Sequence, residues 1–225
     1  MYILHIETST AVCSVALSDG PEVLEVIDLM EGMNHTALLT PLISQLLMST
    51  SKSPSDLKAI SVGSGPGSYT GLRVGSSTAK AMAYSLDIPL IATPTLLALA
   101  SGAFDAHSDC DLAVPMLDAR RNEVYTAVYD RNLNEIIPPS SLILETEALE
   151  LLLPKGRRIV FCGEGAAKLN VDIQGSRIDA GIRCSARHLV KPAFRSYIEQ
   201  QHSDPVRFVP FYLKPPNITQ QKKFI

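Results

Sequence analysis

Gly63-Ser64-Gly65-Pro66-Gly67-Ser68-Tyr69-Thr70-Gly71-Leu72-Arg73-Val74-Gly75 joins a short apolar run, Ala59 to Val62, to a segment with helical spacing from Tyr69 to Leu86. It reads as a strand, a glycine loop and a helix in succession. Such a unit invites a phosphate-binding reading, yet the residues fit none of the standard forms. A P-loop needs a Lys after its second Gly, and none stands here; a dinucleotide fingerprint needs a third Gly where Ser68 stands. The serine-hydrolase elbow fails too, because Pro66 and Thr70, not glycines, flank Ser68 at two residues. What the segment does carry is a ridge. Gly71, Gly75, Ala79 and Ala83 recur at i, i+4 and line one helix face with almost no side chain. A ridge of this kind lets another backbone come close, either the chain's own sheet or a partner helix.

Working back from the loop, Tyr2 to Ile6, the alternating Val12 to Leu17 and Val23 to Leu29 read as three strands, separated by the polar turn Glu7-Thr8-Ser9-Thr10 and by Asp19-Gly20. Asn34 offers an N-cap for a helix from His35 to about Met48. Working forward, Pro89 to Ala92 is a strand and Pro94 to Phe104 a helix. After a polar stretch at 105–109 the opening layout recurs: strand Leu112 to Leu117, a turn headed by Asp118, and alternating Glu123 to Tyr129. Strand, acidic turn and alternating strand therefore occur twice, once at Glu7 and once at Asp118, which suggests an ancient duplication into subdomains 1–105 and 106–225. The second half adds strands at 141–144 and 158–161, a helix from Thr146 to Leu152, a helix from Ser185 to Gln200 interrupted by Pro192, and a terminal strand or extended arm from Val206 to Leu213. The alternation predicts an α/β fold of mixed sheets covered by helices.

Composition narrows the function classes. The 225 residues are 46% hydrophobic with net charge −3, so a folded globular protein is expected whose overall field gives no help in gripping nucleic acid. The one local basic cluster, Lys214, Lys222 and Lys223, reads as a solvated terminus. Cys13, Cys110, Cys162 and Cys184 stand far apart without C-x-x-C spacing and read as buried, reduced thiols. No apolar run approaches spanning length and no leader pattern opens the chain, which predicts a cytoplasmic protein without membrane contact.

With its flanking elements, Gly65-Pro66-Gly67-Ser68-Tyr69-Thr70-Gly71-Leu72-Arg73-Val74-Gly75 resembles the signature of the TsaB family, and Gly65, Pro66, Gly67, Ser68, Thr70 and Arg73 form its signature loop. Ile6 to Thr10 with Cys13 to Leu17, Asn34-His35-Thr36, Asp118 to Tyr125 and Tyr212-Leu213-Lys214 agree in order. The resemblance implies a duplicated actin-like fold of βββαβαβα type. It also implies a non-catalytic scaffold that pairs with the catalytic paralogue TsaD and the ATPase TsaE to place threonylcarbamoyl on tRNA adenosine 37. A homodimer is expected when the chain is alone, and tRNA contact only through the complex. No tightly bound cofactor is expected; if ATP or ADP binds, its place is the partner interface. The contact implied is a four-helix bundle using Leu38, Leu39 and Leu42 with the ridge Gly71, Gly75, Ala79 and Ala83, so that Ala79→Arg would block association at little cost to the monomer. Glu7 departs from the family's common Asp.

Catalysis by the chain itself finds little support in the residues. The paralogue resembles an enzyme that holds metal with two His at i, i+4, whereas His35 is followed at that spacing by Leu39. Glu7, with Thr8 and Ser9, and Asp118 head the two equivalent turns and could face a nucleotide weakly. That keeps alive the alternative of a small actin-like kinase or ATPase, against which Asp118 is followed by Ala119-Arg120-Arg121 rather than glycines. A peptidase would need a nucleophile-base or metal pattern that is not recognisable here.

Overall fold

The computed structural model describes residues 1–30, 34–144, 156–170 and 174–214. Two five-stranded mixed sheets carry the chain, in the orders β3-β2-β1-β4-β5 and β8-β7-β6-β9-β10. The first contains β1 (Tyr2–Glu7), β2 (Cys13–Asp19), β3 (Glu22–Leu29), β4 (Leu57–Gly63) and β5 (Leu90–Thr93). The second contains β6 (Leu112–Asp118), β7 (Glu123–Asp130), β8 (Glu135–Ile143), β9 (Ile159–Cys162) and β10 (Ser176–Asp179). In each sheet the first three strands form an antiparallel meander and the last two add in parallel, so the repeat seen at Glu7 and Asp118 is a repeat of topology.

Burial follows from strand alternation. Leu4, Ile6, Val15, Leu17, Ile60 and Val62 face α1 (His35–Ser49) and α2 (Tyr69–Leu86), closing the larger core. The opposite face, Ile3, Ala59 and Ile91, is covered by Ala193 and Phe194 of α4 (Val190–Ile198), which arrives from the far end of the sequence. Helix α3 (Thr95–Ala106) lies between the sheets: Leu96, Leu99, Ala100 and Ala103 pack on Ala113, Leu117 and Val160 of the second sheet, while Ala98 meets Ala16 of the first. A helix buried on this many sides has to be apolar all round, and its small residues Ala98, Ala100 and Ala103 are what let both sheets come close, while Gly102 makes room for the His188 ring.

The structure alters several local expectations. Asn34 precedes α1 without a side-chain capping bond. The expected helix from Ser185 to Gln200 begins as a 3-10 turn at Ala186–Leu189 and becomes α4 only at Val190, with Pro192 in the first turn, where its missing N–H has no helical partner to lose. The strand at 141–144 is the end of the longer β8, and β10 was not foreseen. Residues 204–214 form an arm rather than a strand, anchored by the Ser203–Leu90 bridge. The expected helix from Thr146 to Leu152 lies outside the described residues. Among the described residues no helix is long and apolar enough to cross a membrane.

Candidate functional site

The glycines of the signature loop make room for the chain's own atoms. A Cβ on Gly67 would stand 2.4 Å from the Ser9 carbonyl oxygen, one on Gly71 2.1 Å from the Thr8 carbonyl oxygen, and one on Gly75 2.3 Å from Thr8 Oγ1. Into that space the β1–β2 turn inserts: Ser68 N–H donates to the Ser9 carbonyl at 2.6 Å and Thr8 Oγ1 donates to the Gly71 carbonyl at 2.8 Å. Ser68 caps α2, its hydroxyl accepting from Gly71 N–H at 3.3 Å. Gly65, at φ 105°, faces the arm, where a Cβ would lie 2.4 Å from the Phe211 carbonyl oxygen. Thr70 and Arg73 stay exposed on the outer side of α2, and the Arg73 guanidinium lies over the Tyr69 ring.

This arrangement corrects the interface expected at the ridge. Gly71, Gly75, Ala79 and Ala83 are buried, packed onto the β1–β2 turn and the first sheet. Leu39 and Leu42 belong to the same core, and of the three leucines only Leu38 is half-buried. The α1 leucines spread around the helix because both the sheet and α2 need covering, not because a face is left bare. The Glu7-Thr8-Ser9 turn is likewise closed to a nucleotide, since all three residues are about 1% exposed. His35 is no ligand candidate at the surface either: it is buried, with Nε2 at 2.7 Å from the Thr10 carbonyl oxygen.

Glu7 is the unusual member of this core. Its Oε1 accepts from Ser9 N–H at 2.7 Å, while Oε2 has no partner among the described residues and lies against Gly63. Burial pushes its pKa up, opposed by bonds from Ser9 and Thr8. Nearby Cys184, brought in from the second half, has its thiol pushed well above the usual range by burial and then by the Glu7 charge. The folded state therefore holds the Glu7 proton to higher pH than the unfolded chain does. Stability is unaffected at low pH, falls as pH climbs from the ordinary glutamate range through the raised value, and stays lowered above it. Glu7→Gln should remove that loss: its Tm should exceed that of the natural chain at neutral pH and converge with it near about pH 4. A Tm difference independent of pH would show that the carboxyl is not protonated on folding.

The second turn is open and already paired. Asp118 is exposed and accepts from Arg120 N–H and Lys168 Nζ, both at 2.6 Å, which hold its carboxyl below the usual range despite partial burial. The turn itself carries no glycine, Ala119, Arg120 and Arg121 following Asp118, while Gly163 and Gly165 lie against Met116 and Leu117 just before it.

The outer surface of α1 and α2 instead shows a groove of about 760 Å³. Ile43, Leu47 and Met82 form its floor, while Thr40, Ser44 and Met48 of α1 and Ser77, Thr78 and Ala81 of α2 form its rims. Met48 is 76% exposed there. Lys52, Ser53 and Pro54 complete the lining, with Lys52 as its charged member. The sequence held a signal for this side: Ser77 and Ala81 are also small residues at i, i+4, on the helix face opposite the buried ridge.

Residues 31–200 match the family model TsaD, tRNA N6-adenosine threonylcarbamoyltransferase. The chain is 34% identical to the tRNA threonylcarbamoyladenosine biosynthesis protein TsaB of Bacillus subtilis, over 95% of this chain and 94% of that one. It is 36% identical to the Escherichia coli protein of the same name over 60% of this chain and 58% of the other. Among solved structures, YeaZ from Pseudomonas aeruginosa superposes with a TM-score of 0.79 at 24% identity, covering 94% of this chain and 99% of that one. The ADPNP-bound activator of 2-hydroxyisocaproyl-CoA dehydratase from Clostridium difficile superposes at 0.54 with 12% identity, over 89% and 97% of the two chains. Both carry the two-lobed actin-like architecture, and the likeness speaks for the fold alone.

Proposed function

Because the chain belongs to the TsaB family of tRNA threonylcarbamoyladenosine biosynthesis proteins, we propose that it acts there as a non-catalytic scaffold. It pairs with the catalytic paralogue TsaD, works alongside the ATPase TsaE and self-associates when alone. The observation that carries this reading is the groove between α1 and α2, whose lining is apolar and short polar side chains with Lys52 as its charged member, whose floor is continuous with the main core and whose rims include the exposed Met48. Short rims let a helix pair from a partner settle close, and burying Met48 with the groove floor supplies the apolar area that association needs. The seat is thus the outer side of the helix pair, opposite the ridge.

The lack of activity alone is supported by what the two turns already do. The first is filled by its own backbone contacts to α2, and Asp118 of the second is engaged by Lys168. A kinase or ATPase of the same architecture would need those positions free for phosphates and metal. A nucleotide, if one is bound in the complex, belongs at the interface with the partner.

Ala81→Arg tests the seat. Ala81 is exposed, so the monomer should melt as the natural chain does, while a guanidinium on the groove rim should abolish both self-association and co-elution with the catalytic paralogue. Light scattering, gel filtration of the mixture and a thermal melt read all three. Retained pairing would move the interface off this face.

A further inference from the structure

Along the start of α2, the arm and the β6–β7 turn the chain gathers cations against its own net charge of −3. Arg73 lies over the Tyr69 ring at 4.2 Å, and that ring packs on Tyr212 with centroids 4.7 Å apart. Two residues further along the arm, Lys214 pairs with Glu123 at the start of β7. Lys168 Nζ donates to Asp118 Oδ1 at 2.6 Å, to the Arg121 carbonyl at 2.8 Å and to the Glu123 carbonyl at 3.0 Å. Arg73, Lys214, Lys168, Arg120 and Arg121 therefore stand on one connected surface, against the carboxylates of Asp118, Glu123 and the neighbouring Glu164.

The carboxylates do not neutralise the arginines. Asp118 is engaged by Lys168 and Glu123 by Lys214, and among the described residues Arg73, Arg120 and Arg121 form no ion pair. Arg120 and Arg121 are exposed on consecutive positive φ angles, 71° and 52°, a backbone that Gly or Asn would adopt at lower cost. Among the described residues neither guanidinium makes a hydrogen bond or an ion pair. Arg73, already held over a ring, has less side-chain freedom to lose when it grips an anion.

We infer that this surface contacts RNA, with Arg73, Arg120 and Arg121 meeting phosphates of the tRNA backbone, supported by Lys214. The choice of tRNA as the polyanion rests on the functional reading above. The contact is one of position and charge, without base reading, so it should be steeply salt-dependent.

The test uses the full chain and a fluorescent unmodified tRNA transcript, with anisotropy followed from low to physiological salt. The natural chain should bind at low salt and weaken as salt rises. The triple variant Arg73→Ala, Arg120→Asn, Arg121→Asn, which keeps a residue tolerant of positive φ at both turn positions, should bind at least tenfold more weakly, with a salt slope shallower by about 3. A control triple, Lys58→Gln, Arg157→Gln, Lys191→Gln, removes the same charge elsewhere and should bind as the natural chain does. Two results would each overturn the inference: no tRNA binding by the natural chain even at low salt, or equal loss in both triples. Co-elution with the catalytic paralogue, measured on the same proteins, should be unchanged. Loss of tRNA binding without loss of pairing separates this inference from the scaffold reading, and failure of pairing with tRNA binding intact would refute the scaffold alone.

Discussion

Replacing Ala79 with Arg is expected to lower stability by ~3 kcal/mol or more, while Ala81→Arg, two positions further on, melts close to the natural chain. Ala79 is fully buried against a core that includes Leu4, Ile6, Leu39 and Val62, with no route to solvent for a guanidinium. In a chain of this length a loss of that size corresponds to a fall in Tm on the order of 6–12 °C, so the contrast between neighbours in one helix is easily read in a melt. An Ala79→Arg protein that melts like the natural one would mean that the helix can roll to expose its ridge, and would restore that ridge as a contact surface.

Gly71→Ala should be nearly as damaging, although one methyl group is the only change. In an exposed helix Ala would gain about 1 kcal/mol over Gly. Here the new Cβ meets the Thr8 carbonyl oxygen at 2.1 Å and His35 Cδ2 at 3.2 Å. The carbonyl cannot retreat easily, because Thr8 is also bonded to the Gly71 carbonyl through Oγ1 and the next residue receives Ser68 N–H. A loss of roughly 3 kcal/mol is expected. The sign alone decides: a denaturation midpoint at or above that of the natural chain would show that the turn does not insert against α2.

The glycine segment made the fold legible because strand, loop and helix each leave a local mark, and the observed α2 spans the residues that the spacing predicts, Tyr69 to Leu86. The duplication was legible for the same reason, since Glu7 and Asp118 each end a strand at a polar turn. The function of the ridge was not legible. Gly71 and Ala79 look alike whether the backbone that approaches them belongs to the same chain or another, and only Thr8 and Ser9, some 60 residues away in sequence, identify the occupant. Cys184 beside Glu7, and the surface joining Arg73 to Arg120 through the arm, are likewise products of tertiary placement. The groove rims Ser77, Ala81 and Met48 are ordinary surface residues by composition, and only the pairing of α1 with α2 makes them one feature.

The cover supplied by α4 sets an order on the making of this protein. Ile3, Ala59 and Ile91 are translated within the first 91 residues, but Ala193 and Phe194, which seal them, emerge from the ribosome about a hundred residues later. Until then one side of the first sheet is a bare apolar wall, a state that invites chaperone capture or premature aggregation. Folding of the amino-terminal half is in this sense provisional, completed only when nearly the whole chain has been synthesised.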